Sequence, residues 1–494
     1  MIGATYSMIH YELYQEKKDK NLFEEIVDQM IIDQVPGMND SFREKISSLD
    51  RDKKRMAILS LLDKDRNLFL KIKALINKDI NKMDHIKDVI TMLREYVKVG
   101  DVEKKKFGEV MTPLDFVKKQ LNVLPKEVWS NPNLKWLDPA NGTGPYPIMV
   151  VYKLMVGLKD WEPNDEKRYK HILENMIYVC EIQPKNMFLY MCSVDPFDTY
   201  KLNIYTGSFL EEGFNYHMKN VWDIEKFDIV IGNPPFNQMI DMDFVKKSYA
   251  ISDIILFVHP STWLLDEKGK QKKFKDTKNL ISEHLESIEL FNGNKLFGIQ
   301  LFVPCVITYI NVNKSIEGIK CTDFINNKNL TYNSILDINK YSDINIYPKI
   351  KGKIFKHKEN LLLRKNIVNG EFYVNASQIR GHVSINNDSK MTQDDFYTLI
   401  TKETQVINRK EKHIFFTFNN RIEGENFINY LKSDFCRFCL SIYKNNSQLD
   451  RGELAIIPWL DFSQEWTDEK LYKHFDISEE EIEFIEKHIP KYYK

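Results

Sequence analysis

The 494-residue sequence lacks the features that mark secreted and membrane proteins. Its six cysteines are scattered over a long chain, which excludes a disulfide framework and is typical of a reducing compartment. No stretch approaches the roughly 20 apolar residues of a membrane span, and Met1–Tyr6 has neither the basic flank nor the apolar core of a signal peptide. We therefore expect a cytoplasmic protein.

An excess of one charge sign and a set of metal ligands are also missing. The formal net charge is −1, so any contact with nucleic acid must come from a local patch. Cys436 and Cys439 have the spacing of zinc ligands, but no second pair accompanies them, and on a helix we expect these thiols to pack in the core. We expect no metal site.

The clearest signal that is present is a strand that ends on Asn-Pro-Pro-Phe. An apolar run from Phe227 to Gly232 leads into Asn233, Pro234, Pro235 and Phe236. The prolines fix the backbone and have no N–H, so the Asn233 amide oxygen and the Pro234 carbonyl can both accept from one small donor. The lone pair of an amine on a planar ring is delocalised into the ring. Two acceptors that bind the two hydrogens of the amine would draw this lone pair back toward nitrogen. The tetrapeptide therefore indicates methylation of such an amine, with Phe236 as a flat face beside it.

A second signal lies upstream, in a strand that runs into a glycine turn. Trp136–Gly144 contains Asp138 and ends on Gly142-Thr-Gly144, and a helical pattern follows. Glycines at the first βα turn of an open α/β sheet let the backbone approach a ligand closely. The third glycine of the dinucleotide fingerprint is absent, so the pattern does not favour a nicotinamide cofactor. The next predicted strand ends on Glu181, where such sheets bind ribose hydroxyls.

These motifs, in this order, resemble those of S-adenosylmethionine-dependent DNA adenine-N6 methyltransferases. The resemblance covers about residues 107–311 and follows the gamma arrangement of the family, in which the methionine-end segment, here Phe107–Pro113, comes first. The stretch Ile457–Phe462 is similar to the closing segment of large restriction-modification enzymes, including type IIG-like ones, which implies a prokaryotic or phage origin. One departure is Ser208, where the family usually has an aspartate that binds the adenine amine of the cofactor.

The resemblance implies a role for each matching position. Asn233, Pro234, Pro235 and Phe236 would be catalytic, and Phe236 and Phe297 would contact a flipped target base. The cofactor S-adenosyl-L-methionine would lie along a set of residues from six segments, namely Phe107, Thr112, Pro113, Asp138, Pro139, Gly142, Gly144, Glu181, Ile182, Ser208, Phe209, Asn233 and Phe244.

A basic run in the C-terminal part is the candidate contact to double-stranded DNA. Between positions 349 and 365 there are seven lysines and arginines against one acid, Glu359. Lys351 and Lys353 lie in this run and could follow a phosphate backbone, while Arg380 lies in a segment, Gln378–His382, able to read base edges. A solvated surface is the usual alternative for such a run.

The alternation of strands and helices predicts three domains. Residues 1–100 form a helical domain and possible protein-binding surface, residues 101–313 a doubly wound Rossmann-like α/β methyltransferase sheet, and residues 314–494 an α+β target-recognition domain with a C-terminal helix. Sheet strands are predicted at 134–137, 176–180, 202–205, 227–231, 254–258 and 287–291, with 301–312 closing the sheet as a hairpin-like pair. In the C-terminal part, 414–419 and 454–459 are predicted strands and 478–485 a capped helix.

Several alternatives stay open from sequence alone. The same tetrapeptide type occurs in enzymes that methylate RNA adenine, cytosine N4 or a glutamine amide, since all of these present a planar NH₂ group. An inactive methyltransferase fold could also serve as a specificity or scaffold subunit, which Ser208 favours. A fused nuclease is disfavoured, because residues 1–100 contain no convincing acid cluster for Mg²⁺.

Overall fold

The computed structural model describes most of the region from Thr112 onward. The described residues are 82, 84, 86–90, 112–195, 199–266, 271–297, 303–356, 372–375, 398–401, 415–443 and 457–489. The predicted helices of residues 1–81 and the predicted sites Phe107, Arg380, Gln378 and His382 lie outside this set. No helix of the described part is long and apolar enough to cross a membrane.

Twelve strands occur in the described residues, and nine of them form one sheet. The strands of this sheet are β1 Trp136–Asp138, β2 Ile177–Glu181, β3 Asn203–Thr206, β4 Phe227–Gly232, β5 Ser252–Pro260, β6 Leu285–Phe291, β7 Cys305–Asn311, β8 Ile319–Asp323 and β9 Lys328–Tyr332. A smaller sheet joins β10 Phe372–Asn375, β11 Thr398–Thr401 and β12 Phe415–Phe418 in the order β11-β10-β12.

The helices alternate with the strands of the large sheet and then dominate the C-terminal part. They are α1 Leu114–Leu121, α2 Pro145–Gly157, α3 Asp165–His171, α4 Pro184–Val194, α5 Glu212–Asn220, α6 Ile240–Ile251, α7 Thr262–Leu265, α8 Lys272–Ile281, α9 Gly293–Phe297, α10 Ile346–Phe355, α11 Arg421–Lys432, α12 Asp434–Tyr443, α13 Asp468–His474 and α14 Glu479–His488. Short 3₁₀ turns lie at Lys126–Trp129, Asn237–Met239 and Ile335–Asp337, and one π-helical turn at Ile172–Met176.

The large sheet has the order β3-β2-β1-β4-β5-β7-β6-β8-β9. Strands β1 to β5 pair in parallel, with Asp138 opposite Val179 and Glu181 opposite Thr206. The doubly wound α/β sheet predicted from the sequence is therefore confirmed. Because parallel neighbours end at the same edge, the last residues of β1 to β4 lie side by side.

The prediction of a hairpin-like pair at 301–312 was wrong. Its described part forms the single strand β7, which lies antiparallel between β5 and β6. Cys305–Ile310 is buried throughout because layers cover both faces of the sheet at this point. A continuous apolar run of this kind is typical of one central strand rather than of two.

Two apolar layers enclose the sheet, and a third core belongs to the C-terminal helices. One layer packs α1, α2 and α4 against the sheet, and the opposite layer packs α5, α6 and α8 against it. The second layer extends to Ile338, and the C-terminal core begins at Tyr341. Strands β8 and β9 hydrogen-bond to the large sheet, so the boundary predicted after residue 313 falls inside one continuous sheet.

The C-terminal part confirms some expectations and corrects one. The predicted strand at 414–419 is β12, and Cys436 and Cys439 are fully buried in the core on α12. The predicted strand at 454–459 is reduced, in its described part Ile457–Trp459, to an isolated β-bridge at Pro458, which has no N–H to extend a ladder. The segment instead packs Trp459 against Phe418, with stacked rings 5.9 Å apart.

The terminal helix α14 begins with a complete capping box. The Ser478 hydroxyl accepts from the Glu481 amide at 3.4 Å, and the Glu481 carboxylate accepts from the Ser478 amide at 2.8 Å. Glu481 also binds Lys353 of α10 at 2.6 Å, so the cap ties the last helix to the rest of the C-terminal core.

Ser478→Ala should lower the free energy of unfolding by about 1 kcal/mol, because it removes the acceptor of one orphan helix amide. Urea unfolding followed by far-ultraviolet circular dichroism measures this change. Ser315→Ala, at an exposed position without regular structure, is the control and should alter stability by less than about 0.5 kcal/mol. Equal stability of both variants would show that the capping box contributes nothing.

Candidate active site

Four adjacent parallel strands bring the predicted site residues to one edge of the sheet. Asp138 ends β1, Glu181 ends β2, Ser208 follows β3 by two residues, and Asn233 follows β4 directly. This edge is where ligands bind in open α/β sheets, at the point where the strand order reverses between β1 and β4.

The turn after β1 is held by main-chain contacts to β2. The Asn141 amide donates to the Cys180 carbonyl at 2.9 Å, and the Gly142 amide donates to the Glu181 carboxylate at 2.6 Å. Gly142 has φ +55°, and a Cβ built there would meet no heavy atom within 4 Å, so its outer side is open to a ligand. Gly144 is different, because at φ +94° its Cβ would lie 2.4 Å from the Tyr190 ring.

Glu181 is buried and already binds the backbone of its own neighbourhood. Its second carboxylate oxygen accepts from the Gln183 amide at 2.8 Å. Ile182, by contrast, is 54% exposed despite being apolar. The Glu181 carboxylate is thus fixed by two backbone amides, and the exposed Ile182 side chain lies next to it in the chain. This pair is suited to a ligand with a sugar, which the carboxylate would bind, and a flat ring, which the aliphatic side chain would contact.

Buried oxygens without a protein partner concentrate at this edge. Within the described residues they include Asp138 Oδ2, Asn141 Oδ1, Thr206 Oγ1 and Asn233 Oδ1. A buried polar atom left unpaired costs about 1–3 kcal/mol, so such a cluster is an expected feature of a site that completes its hydrogen bonds with a ligand.

The surroundings of Asp138 favour the protonated form of its carboxyl group. Its side chain is buried, one oxygen accepts from the Ala140 amide at 3.0 Å, and Gly232 of β4 packs against it. A Cβ at position 232 would lie 3.0 Å from Asp138 Oδ1 and 3.6 Å from Pro139 Cδ. Burial raises the pKa of Asp138 from its ordinary value of 3.8 to about 8, the Ala140 amide opposes this, and the nearby Glu181 charge adds to it.

The loop after β3 is held together by the carboxylate of Glu211. The Ser208 amide donates to the Glu211 carboxylate at 3.0 Å, and the Tyr205 hydroxyl donates to the same oxygen at 2.6 Å. A Cβ at Gly207 would lie 2.5 Å from that oxygen. The Ser208 hydroxyl accepts from the Leu210 amide at 3.3 Å. The loop thus carries a carboxylate three residues beyond the position where the family has one.

Phe209 and Phe244 form the floor of this loop. Both rings are buried, and their centroids lie 5.1 Å apart. Lys247 of α6 donates to the carbonyls of Phe209 and Glu211, and burial lowers the pKa of Lys247 to about 8. The two rings belong to the core of the sheet and also stand next to Ser208, so a role toward the cofactor stays a prediction for both.

The two polar atoms of the Asn233 amide differ in their hydrogen bonding. Its Nδ2 donates to the Thr112 hydroxyl at 2.9 Å, whereas its Oδ1 is buried without a partner in the described residues. Thr112 is itself buried and directly precedes Pro113, the N-cap of α1. The start of α1 therefore reaches the end of β4 and orients its asparagine.

The chain just after Asn233–Phe236 has an unusual backbone conformation, which the sequence does not predict. Gln238 and Met239 have φ values of +54° and +59°, the left-handed region that non-glycine residues rarely adopt. These consecutive residues turn the chain from Phe236 into α6. Such conformations cost about 1–3 kcal/mol each and concentrate at ligand-binding sites.

Aromatic rings border the tetrapeptide as the sequence predicts, but they differ in exposure. Phe236 is half-buried, and Phe297 on α9 is 5% exposed. Their ring centroids lie 6.4 Å apart, edge to face, and Phe116 of α1 packs 5.7 Å from Phe297. In this arrangement Phe236 offers the accessible face and Phe297 supports it.

The lysines predicted to contact DNA lie on α10. The Lys353 ammonium binds the Glu481 carboxylate and the Asp476 carbonyl, so part of its function is structural. Lys351 lies 5.9 Å from the ring centroids of both Tyr347 and Phe355. Contact of either lysine with DNA stays a prediction.

Two further candidate site residues were not among those predicted from the sequence. Thr206 lies at the end of β3 beside Glu181, and Asn141 lies in the glycine turn, each with an unpaired buried oxygen. Their position at strand ends was the available signal, but Thr and Asn are so common in turns that position alone could not single them out.

The fold and the edge residues agree with the expectation from the sequence. The strand order, the glycine turn after β1 and the acid at the end of β2 are those of a doubly wound, Rossmann-like α/β sheet with a ligand crevice at its carboxyl edge. Residues 85–260 match the family model of N-6 DNA methylase, which confirms the resemblance to adenine-N6 methyltransferases in that part of the chain.

Individual relatives are distant. An uncharacterized adenine-specific methylase of Mycoplasma pneumoniae is 24% identical over 35% of this chain and 61% of that protein. A type I restriction enzyme modification subunit from Vibrio vulnificus matches at 16% identity and a TM-score of 0.34, covering 48% of this chain and 51% of that one. A class I methyltransferase from Listeria monocytogenes matches at 14% identity and a TM-score of 0.37, covering 67% and 96%. The chain thus spans about three fifths of the curated relative.

Family and fold imply S-adenosylmethionine as cofactor, and the site residues fit it. The unpaired oxygens of Asp138, Asn141 and Thr206 offer acceptors for its hydroxyl and ammonium groups, and the open side of Gly142 leaves room for it. Ile182 offers an exposed apolar face to its adenine ring. When bound, it supplies an electrophilic methyl group.

The raised pKa of Asp138 predicts a pH-dependent stability. The folded protein binds this proton more tightly than the unfolded chain, so the stabilisation is complete below pH 3.8 and is lost as the pH rises toward 8. Asp138→Asn keeps the shape of the protonated acid but has no proton to lose. It should therefore remove the loss of folding stability with rising pH, which amounts to at most about 1.4 kcal/mol per pH unit.

Urea unfolding at pH 5, 6.5 and 8 checks the Asp138 prediction. The wild type should lose stability with pH more steeply than Asp138→Asn, while the exposed Asp160→Asn should follow the wild type. Parallel pH profiles of the wild type and Asp138→Asn would mean that Asp138 is ionised in the folded protein.

Proposed function

We propose that the protein is a site-specific DNA methyltransferase that transfers the methyl group of S-adenosylmethionine to the N6 amine of adenine. The single observation that carries this proposal is the Asn233 amide, whose oxygen is buried at the end of β4 without a partner among the described residues, while its nitrogen is bound to Thr112. A buried acceptor of this kind is stabilised by a donor, and an exocyclic amine is the donor that the family acts upon.

The chain's own residues would act by orienting and polarising the amine. Asn233 Oδ1 would accept one amine hydrogen and the Pro234 carbonyl the other, which draws the nitrogen lone pair out of conjugation with the ring. Phe236 would hold the plane of the base. Because the transfer is an in-line displacement, the rate would depend mainly on positioning, and no general acid is required.

A base inside a duplex would have to leave the stack to reach Asn233. The half-buried Phe236, supported from behind by Phe297, offers a stacking face that offsets part of the unstacking cost of a few kcal/mol. Base flipping is therefore part of the proposal, and the C-terminal part, which carries the basic run, would select the sequence and hold the DNA backbone.

Purified protein incubated with methyl-labelled S-adenosylmethionine and unmodified genomic DNA tests the proposal. Digestion and nucleoside mass spectrometry should show the label on N6-methyladenine. Label on N4-methylcytosine would contradict the assigned base, and label only in RNA would contradict the assigned nucleic acid. Cofactor binding without transfer to any nucleic acid would favour a scaffold subunit, the alternative that Ser208 supports.

Asn233→Ala should lower the rate of transfer by at least about 100-fold, the usual effect of removing one positioned polar group from an active site. The affinity for S-adenosylhomocysteine, measured by calorimetry, should change by less than threefold, because the other cofactor positions are intact. Asn313→Ala, an exposed turn residue, is the control. Normal turnover of Asn233→Ala would refute the proposed role.

A further inference from the structure

The loop after β3, residues 207–211, begins against the end of β2. The Gly207 amide donates to the Glu181 carbonyl at 2.9 Å, and the Cys180 thiol donates to the Gly207 carbonyl at 3.4 Å. Because β2 and β3 are parallel, this loop leaves the sheet at the same edge as Glu181. The loop therefore starts at a fixed distance from the acid that is predicted to bind a sugar.

The Glu211 carboxylate joins the last residue of this loop to its first residues. One of its oxygens accepts from the Ser208 amide at 3.0 Å and from the Tyr205 hydroxyl at 2.6 Å. A Cβ at Gly207 would lie 2.5 Å from the same oxygen, so the loop leaves no room there for a larger residue. The carboxylate thus closes the loop on itself.

Lys247 of α6 fixes the same loop from outside. Its ammonium donates to the carbonyls of Phe209 and Glu211, the latter at 3.1 Å, and lies 5.0 Å and 4.9 Å from the ring centroids of Phe209 and Phe214. Burial lowers the pKa of Lys247 to about 8, and Cys180 and Glu211 oppose this shift. An ammonium removed from water is costly unless it is paired, and here the two loop carbonyls are its acceptors.

The packing of α6 does not depend on this ammonium. The helix is anchored in the core of the sheet by apolar side chains, among them Met242, Phe244 and Val245, all of which are buried. Lys247 itself is half-buried. The contacts of its ammonium therefore serve the loop rather than the helix.

We propose that Lys247 and Glu211 are positioning residues for S-adenosylmethionine, because they hold the loop after β3 in the shape that meets the adenosine part of the cofactor. Loops that follow adjacent parallel strands line one crevice, and this loop carries Ser208 beside Glu181. Both residues act through the backbone of the loop. The inference rests on the proposed function only through its cofactor.

Lys247→Met is the first test, because methionine keeps an unbranched side chain against Phe209 and Phe214 but removes the ammonium. The dissociation constant for S-adenosylhomocysteine, measured by calorimetry on the full chain, should rise at least about tenfold, since two carbonyls lose a charged donor. Lys246→Met makes the same substitution at the preceding position of α6 and should stay within about twofold of the wild type. An unchanged affinity in Lys247→Met would overturn the inference.

Kinetics separate positioning from support of the whole fold. In Lys247→Met the KM for S-adenosylmethionine should rise at least about tenfold. The single-turnover rate at saturating cofactor should fall by no more than about threefold, because the contact between Asn233 and Thr112 is left in place. An equal loss in both quantities would mean that Lys247 supports the fold in general, and would contradict the positioning role.

Glu211 supplies a rescue experiment at an exposed position. Glu211→Ala removes the acceptor of the Ser208 amide and the Tyr205 hydroxyl, and should weaken the binding of S-adenosylhomocysteine at least about tenfold. Glu211→Gln keeps an oxygen that can accept both bonds and should stay within about threefold of the wild type. Equal affinities of the Ala and Gln variants would overturn the role of Glu211.

Because calorimetry needs no methyl transfer, the inference and the proposed function can fail separately. If the affinities follow this pattern but the wild type methylates no adenine, the positioning role stands and the proposed function fails. If the wild type methylates adenine and Lys247→Met binds S-adenosylhomocysteine like the wild type, the inference fails and the function stands. A wild type that does not bind S-adenosylhomocysteine would contradict both.

Discussion

The hydrogen bond from Asn233 to Thr112 is the contact on which the rest of the site depends. It joins the end of β4 to the start of α1, two segments 121 residues apart in sequence, and it decides which amide atom remains free. The residues before and after it are arranged to make that contact possible. Gly232 lets β4 pass close to Asp138, and the left-handed residues Gln238 and Met239 carry the chain away into α6.

The carboxyl edge of the sheet combines tight backbone anchoring with unpaired polar atoms. The Glu181 carboxylate accepts hydrogen bonds from the amides of Gly142 and Gln183, and the bond from Gly142 fixes the glycine turn against β2. Asp138 beside it has one oxygen with no partner in the part of the chain that the structure describes, and burial close to another acid raises its pKa. Such an arrangement costs stability in the free protein and becomes favourable when a ligand with donors and positive charge completes it. A cationic sulfonium cofactor has this chemistry.

Sequence reasoning could predict the elements whose signal is local. The strands that end on Asp138, Glu181 and Asn233 are short apolar runs followed by turn residues, and parallel pairing places their ends together. The capping box of Ser478 is equally local. The antiparallel insertion of β7 between β5 and β6 was not predictable, because an apolar run buried on both faces has no period that reveals its neighbours. The hydrogen bond from the Tyr146 hydroxyl to Gln120 Oε1 was also invisible, since it joins residues that meet only in the folded protein.

The most direct test of the central claim is the distance between Asn233 Oδ1 and the target nitrogen in a crystal structure with S-adenosylhomocysteine and duplex DNA. The DNA would carry the recognition sequence, read beforehand by sequencing methylated genomic DNA. We expect the target adenine out of the stack beside Phe236, its N6 about 2.7–3.2 Å from Asn233 Oδ1, and Nδ2 still on Thr112. A target base held by other groups, or an Asn233 amide that turns Nδ2 toward the base, would contradict the account.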